Sequence, residues 1–475
     1  MDSVRATSHF RFGAIVAALI LTAAGCNARP QALPNIALPG DDESALGASS
    51  SNDAWTMFAY DYHRTGYNPN VTKLTRKNVS KLKLRWEANI GDTVFASPVT
   101  YAGNLIVVAE GTRSDQPGSV VYDLSTKDGH VIWKFALGRK AKMTPVIDPV
   151  TGLVFVGREG PDSYLYALRL LDGSIAWHQP VRGLLMASPV VAGGWVYAGR
   201  SGGDPPACTQ GGVTAFNEST GAVGWIWNVD PNHKKGGSVW GAIAYSGSHL
   251  IFGTGNTCEE PITTANGAVS LDLSGKPAWS MVAVKDSHAD SDSGGGVMVL
   301  NGRAHFINKN GEFYALSNES GNIEWETDLN TEAGNGNWSG GFASPTTDGT
   351  TIVEGSGLFK NTGSHSGGDA EFCLMPGVKP DEYFQGYHSK LQGMNTSGHV
   401  LWSVSMPNRL VGYVAIAQGM GFVGLNQKFV ALDLSSGKTL WSYPTPDYIN
   451  ASMVVVPSGL YGADQAGNVY AFGLK

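Results

Sequence analysis

Six side chains between residues 200 and 310 stand at matching places in a repeated stretch of sequence, and their types suit chemistry rather than packing. Two begin a strand: Trp240, in Val239-Trp240-Gly241-Ala242, and Asp292, in Asp290-Ser291-Asp292-Ser293-Gly294-Gly295. The others fall just past a second strand: Ser201 and Asp204 in Arg200-Ser201-Gly202-Gly203-Asp204, Asn256 after Gly253-Thr254-Gly255, and Lys309 in Asn308-Lys309-Asn310-Gly311. One aromatic plane, two carboxylates, an amide oxygen, a hydroxyl and an ammonium are thus offered by three successive repeats. Groups of these types serve proton transfer, oxygen-ligated cation binding and the stacking of flat molecules.

The elements that must position them are announced by tryptophan. Trp86, Trp133, Trp177, Trp225, Trp279, Trp325, Trp402 and Trp441 each end a segment reading apolar-x-Ala/Asp-apolar-x-x-x-Ser/Thr-Gly-x-x-x-Trp, with gaps of 47, 44, 48, 54, 46, 77 and 39 residues. Self-similarity at about 40–50 residues with several short strands per unit predicts an all-β, eight-bladed β-propeller of four-stranded antiparallel blades. The repeat tryptophans themselves are expected to pack between blades. The last unit stops before its tryptophan, whereas the first tryptophan has no strand series before it. The two fragments together make one blade shared by the chain ends, which leaves no open sheet edge. In such a ring the start of the first strand and the end of the second share one face near the axis, so the six residues are expected to converge at one mouth of the channel.

Composition agrees with this reading. Glycine supplies 62 of 475 residues, about twice the usual share of ~7%, as tight turns between short strands require. A net charge of −7 and the lack of a basic run exclude nucleic acid as a partner. Arg5 and Arg11 precede an apolar run from Gly13 to Leu21, too short to span a bilayer, and Ala23-Ala24-Gly25 leads to Cys26. Residues 1–25 are therefore expected to be an export signal of the lipoprotein type, with Cys26 as the lipidated residue. Residues 26–53 are expected to form a flexible tether and 54–475 the propeller. Such a protein would sit in the cell envelope, held to a membrane on the periplasmic side by its lipid alone. Cys208, Cys258 and Cys373 lack metal-site spacing, and their pairing is open. No Cys-x-x-Cys-His is present, so covalent haem is excluded. His63, His233 and His288 also lack metal-ligand spacing.

The chain resembles the quinoprotein alcohol dehydrogenases, eight-bladed propellers that bind pyrroloquinoline quinone (PQQ). Asn78-Val79-Ser80-Lys81-Leu82-Lys83-Leu84-Arg85-Trp86 is similar to that family's Asn-Val-x-x-Leu-x-x-x-Trp opening. Trp240-Gly241 followed by Gly253-Thr254-Gly255-Asn256 resembles the stretch where a tryptophan lies under the quinone and an asparagine binds the metal. His288-Ala289-Asp290-Ser291-Asp292 is similar to the family's His-Asp-x-Trp-Asp, and Ser201-Gly202-Gly203-Asp204 to the segment that gives a carboxylate ligand. The loop around Cys208 and Gly211-Gly212-Val213 is most similar to the polyvinyl-alcohol dehydrogenase branch. The resemblance implies Trp240, Ser201 and Lys309 as cofactor contacts and Asp204, Asn256 and Asp292 around Ca²⁺ or a lanthanide. It further implies Asp292 as the base that takes an alcohol's proton, with Lys309 beside it. The substrate would be a small or polymeric alcohol and the electrons would leave to an external acceptor. Asp204 is one methylene shorter than the family's glutamate, an arginine expected near Gly211 is missing, and no two cysteines are adjacent. A rival reading is a non-catalytic lipoprotein resembling the propeller scaffold of the outer-membrane β-barrel assembly machinery.

Overall fold

Runs of alternating β-branched and aromatic residues, punctuated by two-residue turns, fold into eight antiparallel blade sheets, beside one two-stranded pair of Asn337–Ser339 with Leu358–Lys360. The computed structural model describes residues 52–474 apart from 112–117, 161, 203–208, 232–235, 258–262, 286–291, 330–336, 340–342, 357, 361–388 and 407–409. Blades are numbered here in chain order from Val99. Each has an inner, second, third and outer strand. In blade three these are Val190–Ala192, Trp195–Arg200, Gly212–Asn217 and Val223–Asn228; in blade five, Met298–Leu300, Arg303–Ile307, Glu312–Ser317 and Ile323–Asp328. Blade four runs from Ala244–Ser246 through the long second strand His249–Thr257 to Pro277–Val282. Inner and second strands meet in tight turns such as Asn301-Gly302, both at positive φ, the conformation that two-residue hairpins demand.

Blade eight closes the ring. Its first three strands come from Val454–Gly473 and its outer strand is Lys83–Asn89, paired antiparallel with Asn468–Gly473. The shared blade expected from the two chain fragments is therefore present. Among the described residues the only helix is a single 3₁₀ turn, Val79–Lys81, and no helix is long and apolar enough to cross a membrane. Cys26, the leader and all but the last two residues of the tether fall before residue 52, and Cys208, Cys258, Cys373, His233 and His288 also lie outside the described residues.

The repeat sentence is a docking device. The Trp279 indole N–H donates to the carbonyl of Asn318 in the next blade (2.7 Å), and Trp86, Trp133, Trp177, Trp225 and Trp402 donate to the corresponding carbonyls of Thr126, Leu170, Glu218, Leu273 and Leu434. The glycine of that next turn lies flat on the indole. A β-carbon on Gly321 would stand 2.6 Å from Trp279 Cε3, and the same holds for Gly173 over Trp133 at 2.5 Å. A one-residue irregularity in the pairing just before every repeat tryptophan marks a β-bulge, which adds the local twist a radial blade needs.

One segment binds the whole ring together. Residues 55–68 run below the inner strands and bond to all eight. Trp55 exchanges two bonds with Thr100, and the carbonyls of Thr56, Tyr62, His63, Thr65 and Gly66 accept from the N–H groups of Ile147, Tyr245, Val299, Thr347 and Ile416. The Arg64 guanidinium reaches the carbonyls of Pro189 and Ile243, and the Asn68 amide that of Val455. This clasp places His63 on a structural loop and lies at the end of the inner strands away from the mouth.

Candidate functional site

The mouth is built by one backbone contact repeated around the ring. In blade five the Lys309 N–H donates to the carbonyl of Asp292 (3.0 Å); in blade two Glu159 does so to Lys140 (2.7 Å); in blade three Ser201 to Leu184 (2.8 Å); in blade eight Gln465 to Tyr448 (2.8 Å). Thr93 pairs with Glu110 in blade one and Ser238 with Gly255 in blade four. In every case the residue earlier in the chain stands six before the first residue of the inner strand, and the later one stands four beyond that first residue's cross-strand partner. Residues at these two positions therefore ring the axis at one level, and Ser201, Gly255 and Lys309 are structural equivalents.

Four of the predicted site residues come together. Asp292 and Lys309 are both buried, and Lys309 Nζ lies 2.7 Å from Asp292 Oδ1. Taking two charges out of water costs several kcal/mol each, and their pairing at hydrogen-bond distance offsets that cost. Half-buried Trp240 joins them through Gly255. A β-carbon built on Gly255 would fall 2.8 Å from Asp292 Cβ and 2.9 Å from both Trp240 Cδ1 and Nε1. Only glycine lets the indole and the carboxylate approach the same strand so closely. Ser201 completes the group from blade three: it is fully buried and its Oγ lies 2.9 Å from Ser238 Oγ, two residues before Trp240. Asn256 lies on the second strand of blade four next to Gly255, and its side chain is outside the description. Asp204 lies outside the described residues altogether. Among the described residues no three His, Cys, Asp or Glu side chains cluster as a metal-binding group.

Two acidic rim residues went unread in the sequence. Glu110 and Glu159 occupy the position of Lys309 in blades one and two, and Lys140 that of Asp292. Blade two thus repeats the blade-five pair with its charges exchanged. Lys140 Nζ reaches Glu110 Oε1 of the neighbouring blade at 3.3 Å. Burial pushes the Glu159 carboxyl above its ordinary range and the Glu110 charge adds to this, while Lys142 and Lys140 oppose it. The signal was available: each glutamate stands four residues beyond the cross-strand partner of its inner strand's first residue, as Lys309 does, but no family motif covers blades one and two.

A family model described as outer membrane protein assembly factor BamB matches residues 70–203, 117–274, 264–359 and 388–474. The chain belongs to this family, PQQ_2. Among curated PQQ_2-like proteins, it is 25% identical over 287 residues to the quinohemoprotein alcohol dehydrogenase ADH-IIG of Pseudomonas putida, a match covering 51% of this chain and 38% of that enzyme. It is 26% identical over 264 residues to the assembly factor BamB of Yersinia pestis, covering 51% of this chain and 60% of that protein. The match therefore spans less than two thirds of either relative. In fold, this PQQ_2 propeller superposes on the quinohemoprotein alcohol dehydrogenase of Comamonas testosteroni with a TM-score of 0.71 at 18% identity, covering 92% of this chain and 82% of that one. The expected architecture, that of a PQQ-dependent alcohol dehydrogenase-like eight-bladed propeller, is the one found.

Proposed function

We propose that this chain is a cell-envelope quinoprotein that oxidises an alcohol with PQQ and a Ca²⁺ or lanthanide ion. The observation that carries the reading is the meeting of Trp240, Asp292 and Lys309 around Gly255 at one mouth of the channel. A docking scaffold has no use for a buried Asp–Lys pair beside an indole at its axis. The residues suit the cofactor's chemistry. The indole offers a flat molecule a face, and Lys309 and the Ser201 hydroxyl suit an anion with several carboxylates. Asn256 and Asp204, the ligands the resemblance implies, would with Asp292 supply the oxygen donors a hard cation takes.

PQQ, when bound, accepts the hydride of the alcohol; redox capacity resides in the cofactor. With Asp292 Oδ1 held by Lys309, we assign Oδ2 to take the hydroxyl proton. Fixing that carboxylate by an ammonium at 2.7 Å keeps it oriented without a reorganisation step. Electrons would leave to an external acceptor, and Cys26 would tether the protein by lipid alone.

Reconstitution of the full chain with PQQ and Ca²⁺ or La³⁺ tests this reading, using cofactor absorbance for uptake and dye reduction by alcohols for turnover. Stoichiometric uptake is expected, with Asn256→Ala losing cation-dependent binding. Asp292→Asn should retain the cofactor while kcat falls by roughly 10²–10⁴-fold, the usual worth of a general base. Absence of uptake by the wild type would overturn the enzyme and leave the assembly-scaffold reading, which the BamB-type family match favours. That reading predicts retention of outer-membrane β-barrel assembly proteins on the immobilised chain with PQQ absent.

A further inference from the structure

Arg200 precedes Ser201 by one residue and is buried, yet no carboxylate among the described residues pairs with it. Its guanidinium donates to four neutral acceptors: the carbonyls of Arg182 and Gln210 at 3.1 Å each, the carbonyl of Trp227 at 3.0 Å and Asn228 Oδ1 at 2.8 Å. Nε finds no partner. A buried cation without a counter-charge is costly, and an apolar residue of similar size would avoid that cost. The acceptors lie on three segments that all meet the mouth. Arg182 is on the entry to blade three, Gln210 on the return from the loop after Ser201, and Trp227 and Asn228 end the outer strand.

The loop around Ser201 is knotted to blade four chiefly by backbone. Gly202 donates to the Gly237 carbonyl (2.9 Å), Gly211 to Gly236 (3.2 Å), Gly236 to Thr209 (2.7 Å) and Val239 to the carbonyl of Arg200 itself (3.0 Å). No side chain could enter: a β-carbon on Gly202 would sit 2.3 Å from the Thr209 oxygen and one on Gly211 2.1 Å from that of Gly237. The knot carries the Ser201–Ser238 hydroxyl pair and leads directly into Trp240. Side chains fasten this web at the Ser201–Ser238 hydroxyls, at Thr209, whose Oγ1 donates to the Gly202 carbonyl at 3.1 Å, and at Arg200, whose fork alone spans three segments.

We propose that Arg200 is a positioning residue for the mouth, fixing the Ser201–Ser238 pair and the start of the Trp240 segment in the register that receives a planar anion. The identity of that anion as PQQ rests on the function proposed above; the positioning role does not. A lysine would keep the charge but lose the planar fork that spans separate acceptors, so geometry and charge can be parted.

The test compares Arg200→Met, Arg200→Lys and Trp279→Phe, the last weakening a blade contact remote from the mouth. Amide hydrogen exchange on the full chain without ligand reads the knot directly. In Arg200→Met the amides of Ser201, Gly202, Gly211 and Gly236–Val239 are expected to exchange at least ten-fold faster, in Arg200→Lys by an intermediate factor, and in Trp279→Phe at wild-type rates. PQQ titration followed by the circular dichroism induced in the bound quinone should show at least ten-fold weaker binding and a changed signal for Arg200→Met, with Trp279→Phe unchanged. Wild-type exchange rates in Arg200→Met overturn the proposal whether or not the protein takes up quinone. Failure of the wild type to take up PQQ, with the knot amides still accelerated, instead sinks the enzyme reading and leaves Arg200 as the fastening of the mouth. Faster exchange with unaltered quinone affinity and dichroism overturns the link from knot to ligand.

Discussion

Asp123 pairs across its blade with Trp133, at the position that Ala167, Ala215, Ala315, Ala431 and Ala471 fill opposite their own tryptophans. It is fully buried, and neither carboxylate oxygen meets a partner at hydrogen-bond geometry. Burial pushes its pKa up to about 7, offset only in part by the Leu105 backbone N–H. A carboxyl raised in the folded state gives its full stability below the unfolded value and loses it as pH rises through the folded one. Wild type is therefore expected to lose stability from about pH 4 to pH 7 relative to Asp123→Ala. At pH 8 the alanine variant should be more stable by roughly 1–3 kcal/mol, the penalty of a buried unsatisfied polar group. Denaturant unfolding across pH 4–8 checks both statements, and an unchanged difference across that range would contradict the assignment. The Asp292–Lys309 pair shows the opposite economy: two buried charges in contact, kept in a place where neither is needed for packing.

At the level of the element, a glycine's value depends on what lies above it. Gly302 in a hairpin turn and Gly321 over Trp279 share a positive φ, +73° and +70°, but a β-carbon on Gly302 would touch nothing while one on Gly321 meets the indole at 2.6 Å. Gly302→Ala is expected to cost on the order of 1 kcal/mol for the left-handed conformation alone. Gly321→Ala should cost about 1–3 kcal/mol more, through overpacking and the strained Trp279–Asn318 bond. Thermal unfolding of the two variants side by side separates the contributions, and equal losses would deny the docking role. This pairing explains why the ring was legible from spacing: each Gly-x-x-x-Trp records a turn closing on the previous blade and the tryptophan awaiting the next. The seam escapes the rule. Trp441 has no such glycine and packs edge-on against Phe472 instead, because the outer strand of blade eight is Lys83–Asn89 and no turn joins it to Asn468–Gly473. The meeting of Trp240, Asp292 and Lys309 was legible for the same reason, since strand register fixes the rim offsets. The rim positions of Lys140 and Glu159 were open to the same reading, but the partners their side chains take and the Arg200 knot were not. Their meaning depends on which neighbouring loop each side chain reaches, and the repeat pattern holds no record of that.

Across the whole molecule, closure has two independent origins. The shared blade joins the chain ends in one sheet, while residues 55–68 bond to all eight inner strands. Sequence periodicity could not disclose the clasp, since an irregular segment bonding through carbonyls leaves no pattern of side chains. Its centre is Arg64, fully buried and donating to Phe58, Pro189 and Ile243 at 2.8, 3.3 and 2.9 Å. The Ile243 carbonyl stands three residues after Trp240, so the clasp and the mouth meet on the segment that leads into the inner strand of blade four, Ala244–Ser246. Burial pulls the guanidinium down to about 10, with Asp61 opposing that shift. Arg64→Met would strand three buried carbonyls, at a cost of roughly 1–3 kcal/mol each before relaxation, and a net loss on the order of 3 kcal/mol is expected. The loss should also be directional. Amides of Tyr245 and Val299, which donate to Tyr62 and His63 immediately before Arg64 in the clasp, should exchange faster by sub-global opening. The Thr100 amide, held by Trp55 at the far end of the segment, should follow global unfolding only. Uniform acceleration at all inner strands would mean that the clasp releases as one unit with the ring, and that Arg64 sets overall stability rather than fastening blades three and four.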